Sequence, residues 1–208
     1  MRITGGKARG IRLKTPPRKN EQTRPATDRL REALFSSLGD QIIGTHCLDL
    51  FAGTGSYGFE ALSRGATLCG FIESDRTALS CLKENQSLVS KSAQLKPSAS
   101  VITSLDLLKY QTHKERLPLG ITSIQADYIF LDPPYELWYS QSAFLIDELA
   151  LSLSQAKSIL IAEVPSDLIL SSTNWSCIKQ IGGPAKEKTA AKGKPRLTLF
   201  ERINAGIH

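Results

Sequence analysis

The sequence predicts an α/β fold on a mostly parallel sheet, and three observations carry that prediction. Seven strand-like runs lie along the 208 residues: Cys47 to Phe51, Leu68 to Glu73, Ser100 to Ser104, Asp127 to Leu131, Ser158 to Val164, Trp175 to Ile181 and Arg196 to Glu201. The first five are largely apolar without a polar face and are mostly separated by helical segments, as strands buried on both faces of a parallel sheet are. The last two have only a Gly, Lys and Pro-rich connector between them, so they read as an antiparallel hairpin at the sheet edge. A chain of this length buries one ordinary core and can carry a small extension.

Taken in order, the elements begin with a basic extension. Residues 1 to 20 alternate basic, glycine and apolar positions up to Pro16-Pro17, which fits a short, exposed, basic β-hairpin or loop. From Thr27-Asp28 the pattern changes. Leu30, Ala33, Leu34 and Leu38 recur at three- and four-residue intervals, Phe35 widens the stripe, and Thr27 or Asp28 can cap the start of an amphipathic helix ending near Gly39. We divide the chain into this extension, 1–40, and a body, 41–208. Within the body, helices are expected after Ser56, from about Asp75 to Val89 and from about Ser140 to Ser154, while residues 105 to 125 fit either a helix or a packed loop.

Composition narrows the function classes. No apolar run approaches the roughly 18 residues of a membrane span, and no apolar stretch follows a basic start, so a cytoplasmic protein is expected. The four cysteines form no C-x-x-C pair, and the three histidines show no ligand spacing, so no metal is expected. Charge is uneven. Residues 1 to 31 hold ten Lys or Arg against Glu21 and Asp28, and residues 179 to 208 hold seven against two, whereas 32 to 178 carry −7. Clustered cations at both ends of an acidic body suit a polyanion, since phosphates reward them through counterion release, and nucleic acid is the favoured partner.

Between the first strand and the next helix lies Asp49-Leu50-Phe51-Ala52-Gly53-Thr54-Gly55-Ser56-Tyr57-Gly58. Gly53 and Gly55 permit positive φ and a close ligand, and the helix start behind them offers unpaired N–H groups. Gly53-x-Gly55-x-x-Gly58 with Glu73 about 20 residues on satisfies the dinucleotide fingerprint, so the glycines fit NAD as well as S-adenosylmethionine. Glu73, ending the second strand, can accept both ribose hydroxyls of either cofactor, or cap the helix that follows. Asp49 discriminates better: a carboxylate there would repel a pyrophosphate but favour a sulfonium and an α-amino group. Asp106, after the third strand, stands where it can accept from an adenine amino group or cap a helix.

The fourth strand ends in Asp132-Pro133-Pro134-Tyr135, facing the same crevice outside the carboxyl ends of the strands. Two prolines fix φ and remove two donors, leaving carbonyl oxygens as acceptors. An exocyclic amine needs such acceptors, because positive charge develops on its nitrogen as it attacks a methyl group. Asp132 Oδ and the Pro133 carbonyl would hold its hydrogens and aim its lone pair, and Tyr135 would stack on an unstacked base. Trp138 and Tyr139 fit further stacking surface or core.

With these residues in view the chain resembles the bacterial 16S rRNA (guanine-N2)-methyltransferases of the RsmD type. The resemblance runs through Arg2-Ile3-Thr4-Gly5-Gly6-Lys7, the block from Arg24 to Phe35, Asp49 to Gly55, Glu60 to Ala66 and Phe130 to Tyr135. It implies a class I, Rossmann-like methyltransferase with a seven-stranded sheet, acting as a monomer on 16S rRNA in assembled or partly assembled 30S subunits. It also implies S-adenosylmethionine bound by Asp49, Phe51, Gly53, Gly55, Glu73 and Asp106, guanine activated by Asp132 to Tyr135, and RNA held by Arg2, Lys7, Arg9, Arg12, Arg24, Thr27 and Asp28. Asp-Pro-Pro-Tyr is shared with DNA adenine, DNA cytosine-N4 and protein glutamine methyltransferases, so another RNA base or DNA adenine stays open as substrate, as does a non-enzymatic RNA-binding assembly factor. Thr54 and Ser56-Tyr57 depart from the family pattern, which more often has a Ser and small or aliphatic residues there.

Overall fold

The computed structural model describes residues 1–17, 25–111, 119–183 and 195–203. Seven strands form one sheet in the order β3-β2-β1-β4-β5-β7-β6. They are β1 (His46–Leu50), β2 (Leu68–Glu73), β3 (Ser100–Ser104), β4 (Ala126–Leu131), β5 (Ser154–Pro165), β6 (Trp175–Gly182) and β7 (Pro195–Arg202). The first five pair in parallel, and β7 returns antiparallel between β5 and β6. The apolar runs of the central strands require cover on both faces of the sheet, since they leave no face for solvent.

Alternation along each strand divides the interior in two. Cys47, Phe71, Tyr128, Phe130 and Ile161 face one cluster, which α1 (Pro25–Leu38), α2 (Ser56–Ser63) and α3 (Arg76–Ala93) close with Leu34, Phe35, Phe59 and Leu82. Leu48, Leu50, Ile129, Leu131 and Leu160 face the other, covered by α4 (Leu119–Thr122), α5 (Tyr135–Ala143) and a π-helical turn, Phe144–Ala150. Ring pairs tie the first cluster together: Phe59 lies 4.5 Å from Phe71, and Phe130 sits between Phe35 and Tyr57 at 5.8 and 5.5 Å.

Three expectations are corrected. The basic N-terminal segment is hairpin-like, bridging Arg2 to Arg12, but its apolar side is not exposed: Ile3, Ala8 and Leu13 join the first cluster. The first helix starts at Pro25 rather than at Thr27 or Asp28, because proline suits a first helical position, where its missing N–H costs nothing. The helix placed near Ser140 starts at Tyr135, since Pro134 presets the backbone entering it and its carbonyl accepts from Leu137 N at 2.9 Å.

Candidate active site at the switch point of the sheet

From β1 the chain runs outward through β2 and β3, then returns to add β4 and β5 on the other side, so the order reverses between β1 and β4. A crevice opens at the carboxyl ends of strands at such a point. Leu50 lies opposite Leu131, so the glycine loop and Asp132 leave adjacent strands side by side. Glu73 ends β2, Asp106 follows β3, and the pairing of Leu131 with Ala162 brings Glu163 of β5 alongside Asp132.

The loop after β1 is built from backbone conformations that other residues resist. Phe51 adopts φ +59°, rare for an aromatic residue, in the turn that lifts the chain out of the sheet. Gly53 has φ +55°, and a Cβ there would meet open space, so the backbone itself lines the crevice. Gly58 is different: a Cβ would meet the Phe71 ring at 2.4 Å and Cys69 Sγ at 2.6 Å, so its bareness lets α2 seat on β2. Gly55, the N-cap of α2, offers no side chain, and of the helix's first N–H groups that of Gly58 is held by Asp49.

Asp49 and Glu73 hold this loop. Asp49 is 1% exposed, and its Oδ2 accepts from Gly58 N at 2.9 Å, so the carboxyl lies beneath the loop rather than on the open crevice surface. Burial pushes its pKa up to about 7; the Gly58 N–H and Arg31 lower it, while Glu73 adds to the rise. Glu73, half-buried, accepts from Gly53 N at 2.7 Å and from Ser74 N and Asp75 N at 2.6 and 2.7 Å. Capping of α3 falls to Asp75, which accepts from Ala78 N. Asp106 accepts from Leu108 N at 3.1 Å and lies 3.6 Å from Lys109 Nζ, at the start of a 3-10 turn. A bare, open backbone, a helix start with no N-cap side chain and carboxyl groups at the ends of β1 and β2 form a set that fits an adenosine-containing cation such as S-adenosylmethionine.

On the β4 side, Asp132 and Tyr135 are half-buried and Pro133 is buried. Trp138 is core, with Nε1 donating to the Glu163 carbonyl at 2.8 Å. Tyr139 is exposed, its hydroxyl bonded to Asp167. Glu163, and the pairing of Tyr57 with it, escaped the sequence reading. Glu163, 3% exposed, accepts from the Tyr57 hydroxyl at 2.6 Å, and Tyr57 stacks on Phe130. Burial, then the charges of Glu163 and Asp132, push the Tyr57 phenol up, so it keeps the proton it donates. The signal was present in the sequence, because Glu163 lies near the carboxyl end of an apolar strand, as Asp49 and Glu73 do.

The basic arm presents two sides. Ile3, Ala8 and Leu13 are buried, whereas Arg2, Lys7, Arg9, Arg12 and Lys14 are all exposed. The fully buried Glu60 of α2 anchors it, accepting from Thr4 N and Oγ1, from Gly5 N and from Arg64 Nε. Lys7 N donates to the Ser63 carbonyl and Ala8 N to Ser63 Oγ. Arg31, 1% exposed, donates to the Arg2 carbonyl and to Asp28 Oδ1, so Asp28 braces the arm from α1. Arg24 and the side chain of Thr27 lie outside the described residues. No group of three or more His, Cys, Asp or Glu that could hold a metal occurs among the described residues.

This sheet order, with a glycine turn after β1 and a proline-stiffened carboxylate after β4, defines a class I, Rossmann-like methyltransferase fold. The chain belongs to the family described as Conserved hypothetical protein 95, the RsmD family, whose model matches residues 1–189. It is 36% identical over 190 residues to the Ribosomal RNA small subunit methyltransferase D of Haemophilus influenzae, covering 86% of this chain and 87% of that one. Its namesake in Escherichia coli K12 is 31% identical over 207 residues, 99% of this chain and 92% of that one. Among solved structures, the Escherichia coli protein yhhF superposes with a TM-score of 0.69 at 28% identity, covering 97% of each chain.

Proposed function

We propose that the chain transfers a methyl group from S-adenosylmethionine to the exocyclic N2 of a guanine in 16S rRNA of the small ribosomal subunit. The observation that carries this reading is the register of β1 and β4, which sets Asp132-Pro133-Pro134-Tyr135 beside the Gly53 turn. The names of the relatives support ribosomal RNA as the substrate, and a fold neighbour with a TM-score of 0.62 and 12% identity was crystallised with S-adenosylhomocysteine.

When bound, S-adenosylmethionine supplies an electrophilic methyl group. Glu73 receives ribose hydroxyls on lone pairs its backbone partners leave, Gly53 and Phe51 shape the backbone wall, Gly55 shapes the turn, and Asp106 meets the adenine edge. Asp49 acts from below, as a carboxyl whose charge a nearby cation would stabilise. Asp132 Oδ and the Pro133 carbonyl would accept the N2 hydrogens of the guanine and offset the charge that grows on nitrogen as the N–CH3 bond forms and the S–CH3 bond breaks, releasing S-adenosylhomocysteine, and the surplus N2 proton would leave through Asp132 to water. The Pro134 carbonyl already accepts from Leu137 N. Tyr135 stacks on the extruded base.

The exposed cations Arg2, Lys7, Arg9 and Arg12, joined by Arg24 and Thr27, hold RNA phosphates, with Asp28 bracing the arm through Arg31; residues 1–40 form the RNA-binding extension and 41–208 the catalytic domain. We read the protein as a cytoplasmic monomer acting on assembled or partly assembled 30S subunits. No helix among the described residues is long and apolar enough to cross a membrane. The test is methyl transfer from tritiated cofactor to unmodified 30S subunits, naked 16S rRNA and duplex DNA, with the labelled nucleotide mapped. Label on guanine N2 of the RNA is expected; label on DNA alone, or RNA binding without turnover, would overturn the proposal.

A further inference from the structure

We infer that Asn85 is a positioning residue that joins the RNA-binding arm to the cofactor loop, so that RNA and cofactor each tighten the binding of the other. The inference rests on the function proposed above.

Asn85 lies in the middle of α3 and is 0% exposed. A side-chain amide offers two N–H donors and one carbonyl oxygen. Asn85 spends all three on two separate segments. Its Oδ1 accepts from Lys14 N at 2.6 Å and Nδ2 donates to the Lys14 carbonyl at 3.0 Å, the two bonds a neighbouring strand would make. The same Nδ2 donates to the Thr54 carbonyl, also at 3.0 Å.

Both ends of this bridge matter to a ligand. Lys14 is exposed and sits beside Arg12 in the cationic face of the arm. Thr54 lies between Gly53 and Gly55, and its carbonyl orients the peptide leading into Gly55, where φ is +80° and the N–H is held by the Ala52 carbonyl at 2.7 Å. Fixing the Thr54 carbonyl therefore fixes the turn that receives the cofactor. A lesser contact reinforces the link, as Thr54 Oγ1 donates to Met1 Sδ at 3.5 Å from the other strand of the arm. The arm and the loop thus share one docked arrangement. RNA bound along the arm favours that arrangement and with it the turn, and by linkage a bound cofactor favours the docked arm by the same factor.

The experiment is calorimetric titration of S-adenosylhomocysteine into the full chain with and without a 16S rRNA transcript, and of the transcript with and without S-adenosylhomocysteine. The wild type should show a mutual gain in affinity of about fivefold or more. Asn85→Asp keeps the acceptor but loses both donations, and Asn85→Ala loses all three bonds; in each the gain should fall to about one. Val89→Ala, buried on the same helix, lowers Tm in the same way and should keep the full gain. A gain unchanged in the Asn85 variants, or absent from the wild type, overturns the inference. Hydrogen exchange on the wild type tests it without any variant: the transcript should slow exchange of the amides of residues 53–55, and unchanged exchange overturns it. A wild type that fails to bind S-adenosylhomocysteine or RNA overturns the proposed function instead.

Discussion

The two banks of the crevice are built by different means. On the β1–β3 bank the carboxylates of Asp49 and Glu73 are spent on the protein itself, holding Gly58 N, Gly53 N and the turn after β2. The β4–β5 bank carries Asp132 on two prolines whose rigidity comes from covalent structure, with Tyr57 and Glu163 packed behind it. The first bank is therefore part of the stability of the fold, whereas on the second the half-buried Asp132 stands at the crevice in front of the buried Tyr57–Glu163 pair.

The largest effect should break the second bank alone. Asp132→Ala should lower kcat by about 100-fold or more, the scale of losing a positioned charge acceptor, while the Kd for S-adenosylhomocysteine stays unchanged. A matching loss of cofactor affinity would merge the two banks. Next, Gly58→Ala should cost about 1–3 kcal/mol of stability in urea denaturation, because the added methyl meets Phe71 and Cys69 at under 3 Å. That exceeds the gain of up to about 1 kcal/mol expected from replacing glycine in a helix. The same variant should weaken cofactor binding, since the Gly58 N–H shifts from Asp49.

A smaller effect comes from protons. The Asp49 pKa rises on folding from 3.8 to about 7, so its protonated form favours the native state; that contribution is full below pH 4 and is lost as pH rises through 7. The ligand-free protein should be more stable at pH 5 than at pH 8, with the slope reduced in Asp49→Asn. Cofactor binding should run the other way: S-adenosylmethionine, a sulfonium, favours ionised Asp49 and should weaken by up to about tenfold between pH 8 and pH 6, whereas S-adenosylhomocysteine weakens less. Equal pH dependence of the two ligands would remove Asp49 from the charge argument. Smallest, and confined to neither bank, Arg9→Glu with Arg12→Glu should raise the KM for RNA several-fold and flatten its salt dependence, each lost phosphate contact reducing the slope by about 0.7–0.9. An unchanged slope would count against the arm as an RNA clamp.

Much of this architecture was legible because it depends on local pattern. Leu68–Glu73 and Ser100–Ser104 are the spans their apolar runs predict, and the last two strands form the expected edge hairpin. The glycine loop and Asp132 could be placed because strand ends in a parallel sheet converge on one edge. What escaped depends on partners distant in sequence. Glu60 and Asn85 look like ordinary polar residues of surface helices, yet both are buried by an arm more than 50 residues earlier. Asp49 read as a charge facing a ligand, whereas desolvation beneath the loop leaves its ionisation incomplete near neutrality. Trp138 and Tyr139, adjacent and indistinguishable by pattern, part ways because helix rotation sends one to Glu163 and the other to solvent.

The anchoring of the arm also orders events in time. Residues 4 to 14 leave the ribosome before their partners Glu60, Ser63 and Asn85, which lie 55 to 71 positions downstream. The cationic segment must therefore wait, undocked, until α2 and then α3 have been synthesised. A segment made early thus settles late, and during that interval its charges are free to meet any RNA nearby.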